Sequence, residues 1–382
     1  LAVNTTGTSN VAMGLNALVA NTTASNNTAV GTFALTANTT GHSNVAMGLN
    51  ALNDNTTASY NTSVGTYSMD KTTTGSNNTA VGYQALELNT TAYQNTAVGV
   101  TALKSTTTGA DNTGVGFSAL FANTTGYNNT AVGKSSLSTN TTGAQNTAVG
   151  MQSLLSNTTG YNNSAVSTYA LKANTTGHSN TAVGLSSLQV NTTGNGNSSV
   201  GNSAGDSITT GENNAFLGLR AGHTFTTGSN NVCVGYEAGG SSTTDNNQLW
   251  IARSSGAVNS AGVWVYGDAS GRCYQGNNSS SWSTTSDERI KKDIVDSPNG
   301  LAKIDAMQVR NFNYKTQEEI TEGGFTACDS EGLQTGVIAQ ELESVLPECI
   351  VESDDGMKRV NIDPIFWSMV KAIQELSARI EV

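Results

Sequence analysis

Residues 123–139 read N-T-T-G-Y-N-N-T-A-V-G-K-S-S-L-S-T, and residues 140–156 repeat the pattern as N-T-T-G-A-Q-N-T-A-V-G-M-Q-S-L-L-S. The glycine of N-T-A-V-G recurs every 17 residues, without insertion, in fourteen copies from Gly14 to Gly235, with Ser167 once in its place. Each copy offers about three apolar side chains, too few to offset the entropy of ordering it alone. We therefore predict stacked coils in which each copy covers the next.

The repeat shows which positions the architecture fixes. An asparagine stands four places before the glycine in every copy, and the residue before the glycine is always Val, Met or Leu. We expect the asparagines to form a ladder of side-chain amides from coil to coil. The ladder residues are Asn10, Asn27, Asn44, Asn61, Asn78, Asn95, Asn112, Asn129, Asn146, Asn163, Asn180, Asn197, Asn214 and Asn231. We expect the fixed small and apolar positions to face the inside of each coil and the freely varying polar positions to face solvent.

The composition of the repeat predicts a mainly β fold. Thr, Val and Asn with frequent Gly favour short strands and tight turns, as in a β-solenoid or β-roll. Fourteen coils at about 4.8 Å each give a rod of roughly 67 Å. In the last three copies the usual leucine becomes Gly205, Gly222 and Gly239, which predicts closer backbone approach or a new cross-section near the end of the rod.

Charge and proline are distributed unevenly along the chain. Only 12% of the 382 residues are charged, about half the usual fraction of a packed domain. Residues 1–240 have a net charge of −2, residues 241–285 of 0, and residues 286–382 of −9 with all three prolines. A total of −11 gives no general attraction to nucleic acid or anionic lipid. Because no apolar run approaches about 18 residues, we also expect no membrane insertion.

Few residues in the shaft suggest chemistry. The four cysteines are too far apart for a CxxC metal site, so we expect free thiols and no metal or cofactor. Tyr93, Tyr127 and Tyr161 recur every second coil beside variable positions. An aromatic stripe of this kind can stack on sugars, which makes these three residues candidate receptor contacts. Scattered surface tyrosines without a ligand are the alternative interpretation.

After residue 244 the 17-residue period is lost. Residues 248–252 and 263–268 alternate as strands, and a polar run follows at 276–285. We therefore predict three segments: a repeat shaft, a β neck with linker, and a C-terminal module of mixed α and β structure. Their bounds are 1–240, 241–285 and 286–382.

The C-terminal module ends in an apolar-periodic stretch. Residues 309–314 read as a strand, and residues 364–382 carry apolar side chains in steps of three and four. Such steps predict a helix with a coiled-coil seam. The seam residues are Ile365, Met369, Ile373, Leu376 and Ile380.

Three ordered motifs in this module resemble one family. They are S-D-E-R-I-K-K-D-I at 286–294, G-V-I-A-Q-E-L-E-S-V-L-P at 336–347 and K-A-I-Q-E-L at 371–376. Together they resemble the peptidase S74 family, whose members are intramolecular chaperone domains at the C-termini of bacteriophage tail fibres and tail spikes. The upstream repeats resemble the N-T-A-V-G rods often fused to that domain and, more loosely, the heads of trimeric autotransporter adhesins.

The resemblance implies a homotrimer whose C-terminal domain folds the fibre and cuts its own chain once, without an external substrate. Carried over, the scissile bond is Thr285–Ser286, Ser286 is the nucleophile and Lys291 is its base. Lys292, one place off the family spacing, is the alternative base. A lysine accepts a proton only when neutral, which burial or nearby cations bring about. The motif also supplies two residues expected to support the segment as an ion pair, Asp287 and Arg289.

The implied role is attachment, as a virion tail fibre or similar extracellular appendage made in the host cytoplasm. The expected partners are two further copies of the chain, a host cell-surface receptor with a glycan as one candidate class, and other virion or appendage proteins at the N-terminus. A bacterial trimeric surface adhesin without enzymatic activity is the alternative. It needs a C-terminal membrane anchor, whereas the last residues here predict a coiled-coil helix. An enzyme on polysaccharide needs paired carboxylates, which the sparse acids of the rod disfavour.

Overall fold

The structure is a computed structural model that describes residues 3–240, 243–253, 263–267, 273–275, 292–320, 332–352 and 358–380. The chain divides into two compact units, Leu1–Trp282 and Ser283–Val382. The first is a β-solenoid, and the second combines short strands with helices. The mainly β fold with a 17-residue coil is therefore confirmed, while the three segment bounds stay predictions.

Fourteen three-residue strands, one for each copy of the repeat, form a continuous parallel ladder. They are β1 Val11–Met13, β2 Thr28–Val30, β3 Val45–Met47, β4 Thr62–Val64, β5 Thr79–Val81, β6 Thr96–Val98, β7 Thr113–Val115, β8 Thr130–Val132, β9 Thr147–Val149, β10 Ser164–Val166, β11 Thr181–Val183, β12 Ser198–Val200, β13 Ala215–Leu217 and β14 Val232–Val234. Each strand pairs in register with the next, so that Thr130 of β8 faces Thr147 of β9, 17 residues later.

Only the middle residue of each strand points into the coil. Ala131 and Ala148 are fully buried, whereas Val132 and Val149 beside them are exposed. Because side chains alternate along a strand, a three-residue strand has one inward position. The fixed small position of the strand, the alanine, therefore lies inside the coil as expected. The fixed apolar position, the valine, lies outside.

The second inward side chain of most coils is a leucine in left-handed backbone, with Met69 in one copy and glycine in the last three. Leu120 and Leu137 are fully buried, with φ of 52° and 49°. This backbone costs a non-glycine residue about 1–2 kcal/mol. Full burial of a leucine contributes about 1.5–3 kcal/mol, which offsets that strain.

Aromatic side chains fill the core where the leucines are lost. Phe216 and Phe225 are buried and stacked, with ring centroids 6.1 Å apart. A Cβ at Gly205 would lie 2.7 Å from Cδ2 of Phe216, and a Cβ at Gly222 would overlap the same ring. The expected change of cross-section is therefore an exchange of leucine for phenylalanine, which requires glycine at the old leucine position.

The invariant asparagines are buried and connect each coil to both of its neighbours. Oδ1 of Asn112 accepts the backbone N–H of Asn129 at 3.0 Å, and Oδ1 of Asn129 accepts that of Asn146 at 3.0 Å. Nδ2 of Asn129 donates to the carbonyl oxygen of Gly143 in the next coil at 2.8 Å. Both bonds recur without a gap from Asn10 to Asn231.

A second buried amide ladder begins each N-T-T-G segment, where the sequence pattern predicts only a turn. Nδ2 of Asn140 donates to Oδ1 of Asn123 at 2.9 Å and to the carbonyl oxygen of Gly143 at 2.9 Å. At two positions a threonine replaces the asparagine, and its hydroxyl oxygen accepts the bond instead: Thr72 from Nδ2 of Asn89, and Thr106 from Nδ2 of Asn123. The signal that reveals it is the recurrence of this asparagine at the same 17-residue spacing.

The parallel ladder continues beyond the fourteenth copy. Strand β15, Leu249–Ala252, pairs in parallel with β14 at the same offset of 17 residues. Gln248 takes the place of the invariant asparagine, and its backbone N–H donates to Oδ1 of Asn231 at 2.9 Å. The expectation that the period is lost after residue 244 is therefore wrong for this coil.

Two antiparallel strands follow the fifteenth coil. Strand β16, Val263–Gly267, pairs with β15, and β17, Cys273–Gln275, pairs with β16. Trp250 is buried at the end of the solenoid core, with its ring centroid 4.7 Å from that of Tyr266. The predicted polar linker at 276–285 lies outside the described residues.

The described residues of the second unit form three helices and two strand pairs. They are α1 Leu301–Ala306, β18 Arg310–Phe312, β19 Gln334–Gly336, α2 Ala339–Glu343, β20 Ile350–Glu352, β21 Lys358–Val360 and α3 Asp363–Ile380. Strands β18 and β19 are antiparallel, as are β20 and β21, and single 3-10 turns lie at Gln317–Glu319 and Pro347–Cys349. A small core forms around Leu342, Leu346 and Cys349.

Two constraints favour glycine at the last position of N-T-A-V-G: a positive φ and a close approach of the next coil. Gly116 has a φ of 135°, and a Cβ on it would lie 2.6 Å from the carbonyl oxygen of Gly133 in the next coil. Ser167 occupies this position with a φ of 116° and carries a side chain. Its backbone is therefore strained relative to the other copies.

Replacing Ser167 with glycine should stabilise the shaft. We expect Ser167→Gly to raise the free energy of unfolding by about 1–3 kcal/mol, because a rare backbone conformation loses its steric cost. Urea denaturation followed by circular dichroism measures the change. Ser138→Gly is the matched control, because Ser138 has no positive φ. This variant should be slightly less stable than the parent, since glycine gives the unfolded chain more conformational freedom. Equal effects of both variants would contradict the strain at Ser167.

Breaking the invariant ladder should be costly. Asn129→Ala removes the acceptor of the buried Asn146 N–H, at about 1–3 kcal/mol. It also removes one of the two donors to the Gly143 carbonyl and one of the two donors to Oδ1 of Asn112, at about 1 kcal/mol each. We expect a loss of about 3 kcal/mol or more in urea denaturation. Thr159→Ala, at an exposed position outside the motif glycine's neighbours, should change stability by about 0.5 kcal/mol or less. A loss below about 1 kcal/mol for Asn129→Ala would show that water replaces the ladder.

Candidate functional site

The residues predicted for self-cleavage lie outside the part of the chain that the structure describes. They are Thr285, Ser286, Asp287, Arg289 and Lys291. The alternative base Lys292 is the first described residue after them and is exposed. The roles of all six residues stay predictions from the resemblance.

An apolar stripe runs along the outside of the shaft. We define the apolar stripe as the residue before and the residue after the N-T-A-V-G glycine, or Ser167, in each copy. The residue before it is never buried, and Val132 and Val149 are each 37% exposed. Because β8 and β9 are in register, these two valines lie about 4.8 Å apart along the shaft.

The second row of the apolar stripe is more varied but also exposed. Phe117, directly after Gly116, is 54% exposed. The exposed apolar or aromatic members of this row are Leu15, Leu49, Tyr83, Val100, Phe117, Met151, Leu185, Leu219 and Tyr236. The first row is thus apolar along the whole solenoid, and the second row adds apolar side chains in nine of the fourteen copies.

The C-terminal helix presents a second apolar surface. Helix α3 buries Ser368 and Ala372, and its Glu375 accepts the backbone N–H of Leu301 in α1 at 2.9 Å. Ile365 of the predicted seam packs against the small core around Leu342. The remaining seam residues are exposed: Met369, Ile373, Leu376 and Ile380. The helix itself is confirmed, and its coiled-coil pairing stays a prediction.

The candidate receptor tyrosines are exposed on the shaft. Tyr93, Tyr127 and Tyr161 each lie two places before an invariant asparagine, in alternate coils. The ring of Tyr161 stacks on that of His178 one coil later, with centroids 4.6 Å apart and planes at 13°. Receptor binding by the tyrosines stays a prediction.

Charged groups on the shaft form small ladders. Lys71 Nζ lies 3.1 Å from Asp54 Oδ2 and 3.1 Å from Asp70 Oδ2. Burial raises the pKa of the Asp70 carboxyl, and the hydrogen bond from Lys71 partly opposes that rise. Within the described residues, no three His, Cys, Asp or Glu side chains are grouped to hold a metal ion. These pairs are therefore structural contacts between coils.

The two cysteines with described side chains are buried and free. Burial raises the pKa of Cys233 to about 12 and also raises that of Cys349. Thiols that stay protonated are poor nucleophiles. Neither cysteine is suited to catalysis. In the described parts of the chain, no helix has the length and apolar character to cross a bilayer.

Comparison with known proteins identifies the C-terminal module. Residues 286–351 match the peptidase S74 family model, described as Chaperone of endosialidase. The match begins at Ser286 and includes β18, β19 and α2. No solved structure matches the chain. The chain therefore carries a chaperone-of-endosialidase domain after its β-solenoid.

Proposed function

We propose that the protein is a homotrimeric attachment fibre whose C-terminal chaperone domain sets the register of three chains and then cuts itself from the shaft. The observation that carries the assembly is the first row of the apolar stripe. Its residue is Val, Met or Leu in all fourteen copies, yet no copy buries it within the single chain.

A position kept apolar on the outside of every coil indicates a partner surface. The apolar stripe extends over about 67 Å, longer than the isolated apolar patches that monomers usually expose. Burying the remaining surface of one valine contributes on the order of 1 kcal/mol. Repeated over fourteen coils, this contribution favours strong association of shafts along their length.

The apolar face of α3 supports assembly independently of the shaft. Met369, Ile373 and Leu376 are exposed at steps of four and three, the spacing of a coiled-coil seam. A helix that meets the same helix in other chains brings identical positions together. Pairing at this helix gives three chains a common starting point.

The shaft supplies the physical need for a chaperone domain. Neighbouring coils differ little, so a shift of one shaft by one coil along another would retain almost all contacts of the apolar stripe. Chains joined first at the C-terminal domain begin folding from equal positions. Once folded, a long ladder has a high barrier to unfolding, so the chaperone is no longer needed.

The self-cleavage step uses the hydroxyl of Ser286. Neutral Lys291 accepts its proton, and Oγ attacks the carbonyl carbon of Thr285. The C–N bond breaks as a C–O ester forms, and the amino group of Ser286 takes up the proton. Water then hydrolyses the ester, which frees a carboxylate at Thr285 and restores the hydroxyl. The family match that begins at residue 286 supports this assignment.

The attachment role follows from a stiff shaft that ends in a removable domain. As a virion tail fibre or similar extracellular appendage, the shaft would carry receptor contacts, and the N-terminal end would join other appendage proteins. A trimeric bacterial surface adhesin is the second candidate, because outward valines on a β-solenoid suit it equally. Self-cleavage distinguishes the two, since the adhesin has no peptidase step.

Charges placed on the apolar stripe should prevent assembly. In the double variant Val132→Asp and Val149→Asp, the 285-residue shaft should sediment as a monomer once α3 has been cut away, because burying two carboxylates in each chain outweighs the apolar contact. Parent protein should sediment with the mass of three chains. Thr125→Asp with Thr142→Asp, at exposed positions of the same coils, should remain trimeric. Far-ultraviolet circular dichroism checks that both variants keep the solenoid. A monomeric parent would contradict the proposed trimer.

Removing the nucleophile should leave the chain intact. On a denaturing gel the parent should yield fragments of 285 and 97 residues, whereas Ser286→Ala and Lys291→Gln should remain at 382 residues. Lys292→Gln is the matched control and should be cut like the parent. An uncut Lys292→Gln with a cut Lys291→Gln would reassign the base. Parent and Ser286→Ala bands of equal length would contradict self-cleavage.

A further inference from the structure

One column of side chains on the shaft alternates large and small. We define the tyrosine column as the residue two places before the invariant asparagine in six successive coils: Tyr93, Ala110, Tyr127, Ala144, Tyr161 and His178. The three tyrosines are 44–51% exposed, and the two alanines are 8% exposed. The column therefore has two recesses, at Ala110 and Ala144, each between two tyrosines.

The size and shape of a recess follow from the end of the column. Tyr161 and His178 occupy adjacent coils, and their rings lie face to face, 4.6 Å apart. A ring in this column thus stacks along the shaft on the ring of the next coil. Tyr127 and Tyr161 are two coils apart, about 9.6 Å, which is about two such stacking distances. With the ring of Tyr127 oriented as that of Tyr161 is, this spacing accommodates one flat ring between the two tyrosines.

Each recess also faces an unused hydrogen-bond donor. In other coils the backbone N–H of this column donates to the side chain of the next coil, as His42 does to Ser59 Oγ at 3.0 Å and His178 to Asn195 Oδ1 at 2.9 Å. Alanine offers no such oxygen. In the described shaft, the backbone N–H groups of Tyr93 and Tyr127 make no hydrogen bond. An oxygen-bearing ring in the recess can accept this bond.

The borders of the recesses are polar and poor in charge. Exposed Thr142 and Gln145 flank the recess at Ala144, and exposed Thr108 and Asp111 flank that at Ala110. Hydroxyl and amide groups suit a hydroxylated ligand. The Asp111 carboxylate and the net charge of −11 disfavour anionic sugars and nucleic acid.

We propose that the recesses at Ala110 and Ala144 are subsites for neutral saccharides. One pyranose ring lies in each recess, with its C–H faces against two tyrosine rings and a ring substituent oxygen accepting the free N–H. Tyr127 is shared by both subsites, so a glycan with suitably spaced sugars occupies both. This inference rests on the proposed attachment role and names the class of receptor.

The test is calorimetric titration of the purified parent protein, which contains the whole shaft whether or not it is cut, with maltohexaose, cellohexaose, mannohexaose and chitohexaose. At least one should bind, and Tyr127→Ala should weaken it about tenfold or more, because two stacking contacts are lost. Tyr60→Ala, an exposed tyrosine outside the column, should bind like the parent. Binding of none of the four, or equal loss with Tyr60→Ala, would overturn the proposal.

Two substitutions at Ala144 separate recess binding from simple contact with a surface ring. Ala144→Tyr keeps every ring but fills the recess, so binding there should be abolished. Ala144→Ser supplies an oxygen to the N–H of Tyr127, as Ser59 does for His42, and should weaken binding severalfold. Retained binding in Ala144→Tyr would show stacking on the outer surface and overturn the subsite.

The failure of this proposal is distinguishable from failure of the proposed fibre. Sedimentation and gel analysis of Tyr127→Ala should give the same trimer and the same fragments as the parent. A trimeric, self-cleaving protein without saccharide binding would overturn only the subsites. If Tyr127→Ala dissociates the trimer, the tyrosine column is a contact between chains, and the saccharide proposal is wrong.

Discussion

Hydrogen bonding between coils is the constraint on which this shaft depends. Each coil buries little more than two small residues and one leucine, and that leucine lies in strained backbone. The buried amides of Asn123 and Asn129 join successive coils at two places in the cross-section. Because a buried amide without partners is costly, a coil is stable only between two others. The shaft therefore has no stable unit smaller than a stack.

Because the strands are short, different side chains of each coil form separate surfaces of the shaft. Alternation over three residues turns Ala131 inward and leaves Val132 outside, and the same positions recur in the other coils as an apolar row on the surface. The tyrosine column lies on the other side of the invariant asparagine in sequence, where the repeat tolerates change. The outward positions that stay apolar in each coil are those we propose for assembly, and the positions that vary are those we propose for ligand recognition.

The sequence predicted the period, the β-solenoid, the asparagine spacing and the C-terminal helix, because each depends on repetition or on helical spacing. It did not predict that the valines point outward, because an apolar side chain in a sequence can lie either in the core of a coil or on its surface. Gln248 and Ala252 replace the asparagine and glycine of the motif, so the fifteenth coil escaped recognition. Ser286 and Lys291 were assigned by resemblance alone, because the pKa of a lysine base depends on neighbours that a linear motif does not contain.

The phenylalanine pair near the end of the solenoid restricts which coils of the chain can stack on one another. Most coils have interchangeable cores, so a strand displaced by one coil meets no obstacle there. Phe216 differs, because it fits only between coils that carry Gly205 and Gly222, and a leucine in either place would overlap its ring. Displacement is therefore penalised at one end of the stack, the end nearest in sequence to the chaperone domain. One position in a nearly uniform rod is therefore unique, and it fixes the order in which the coils stack.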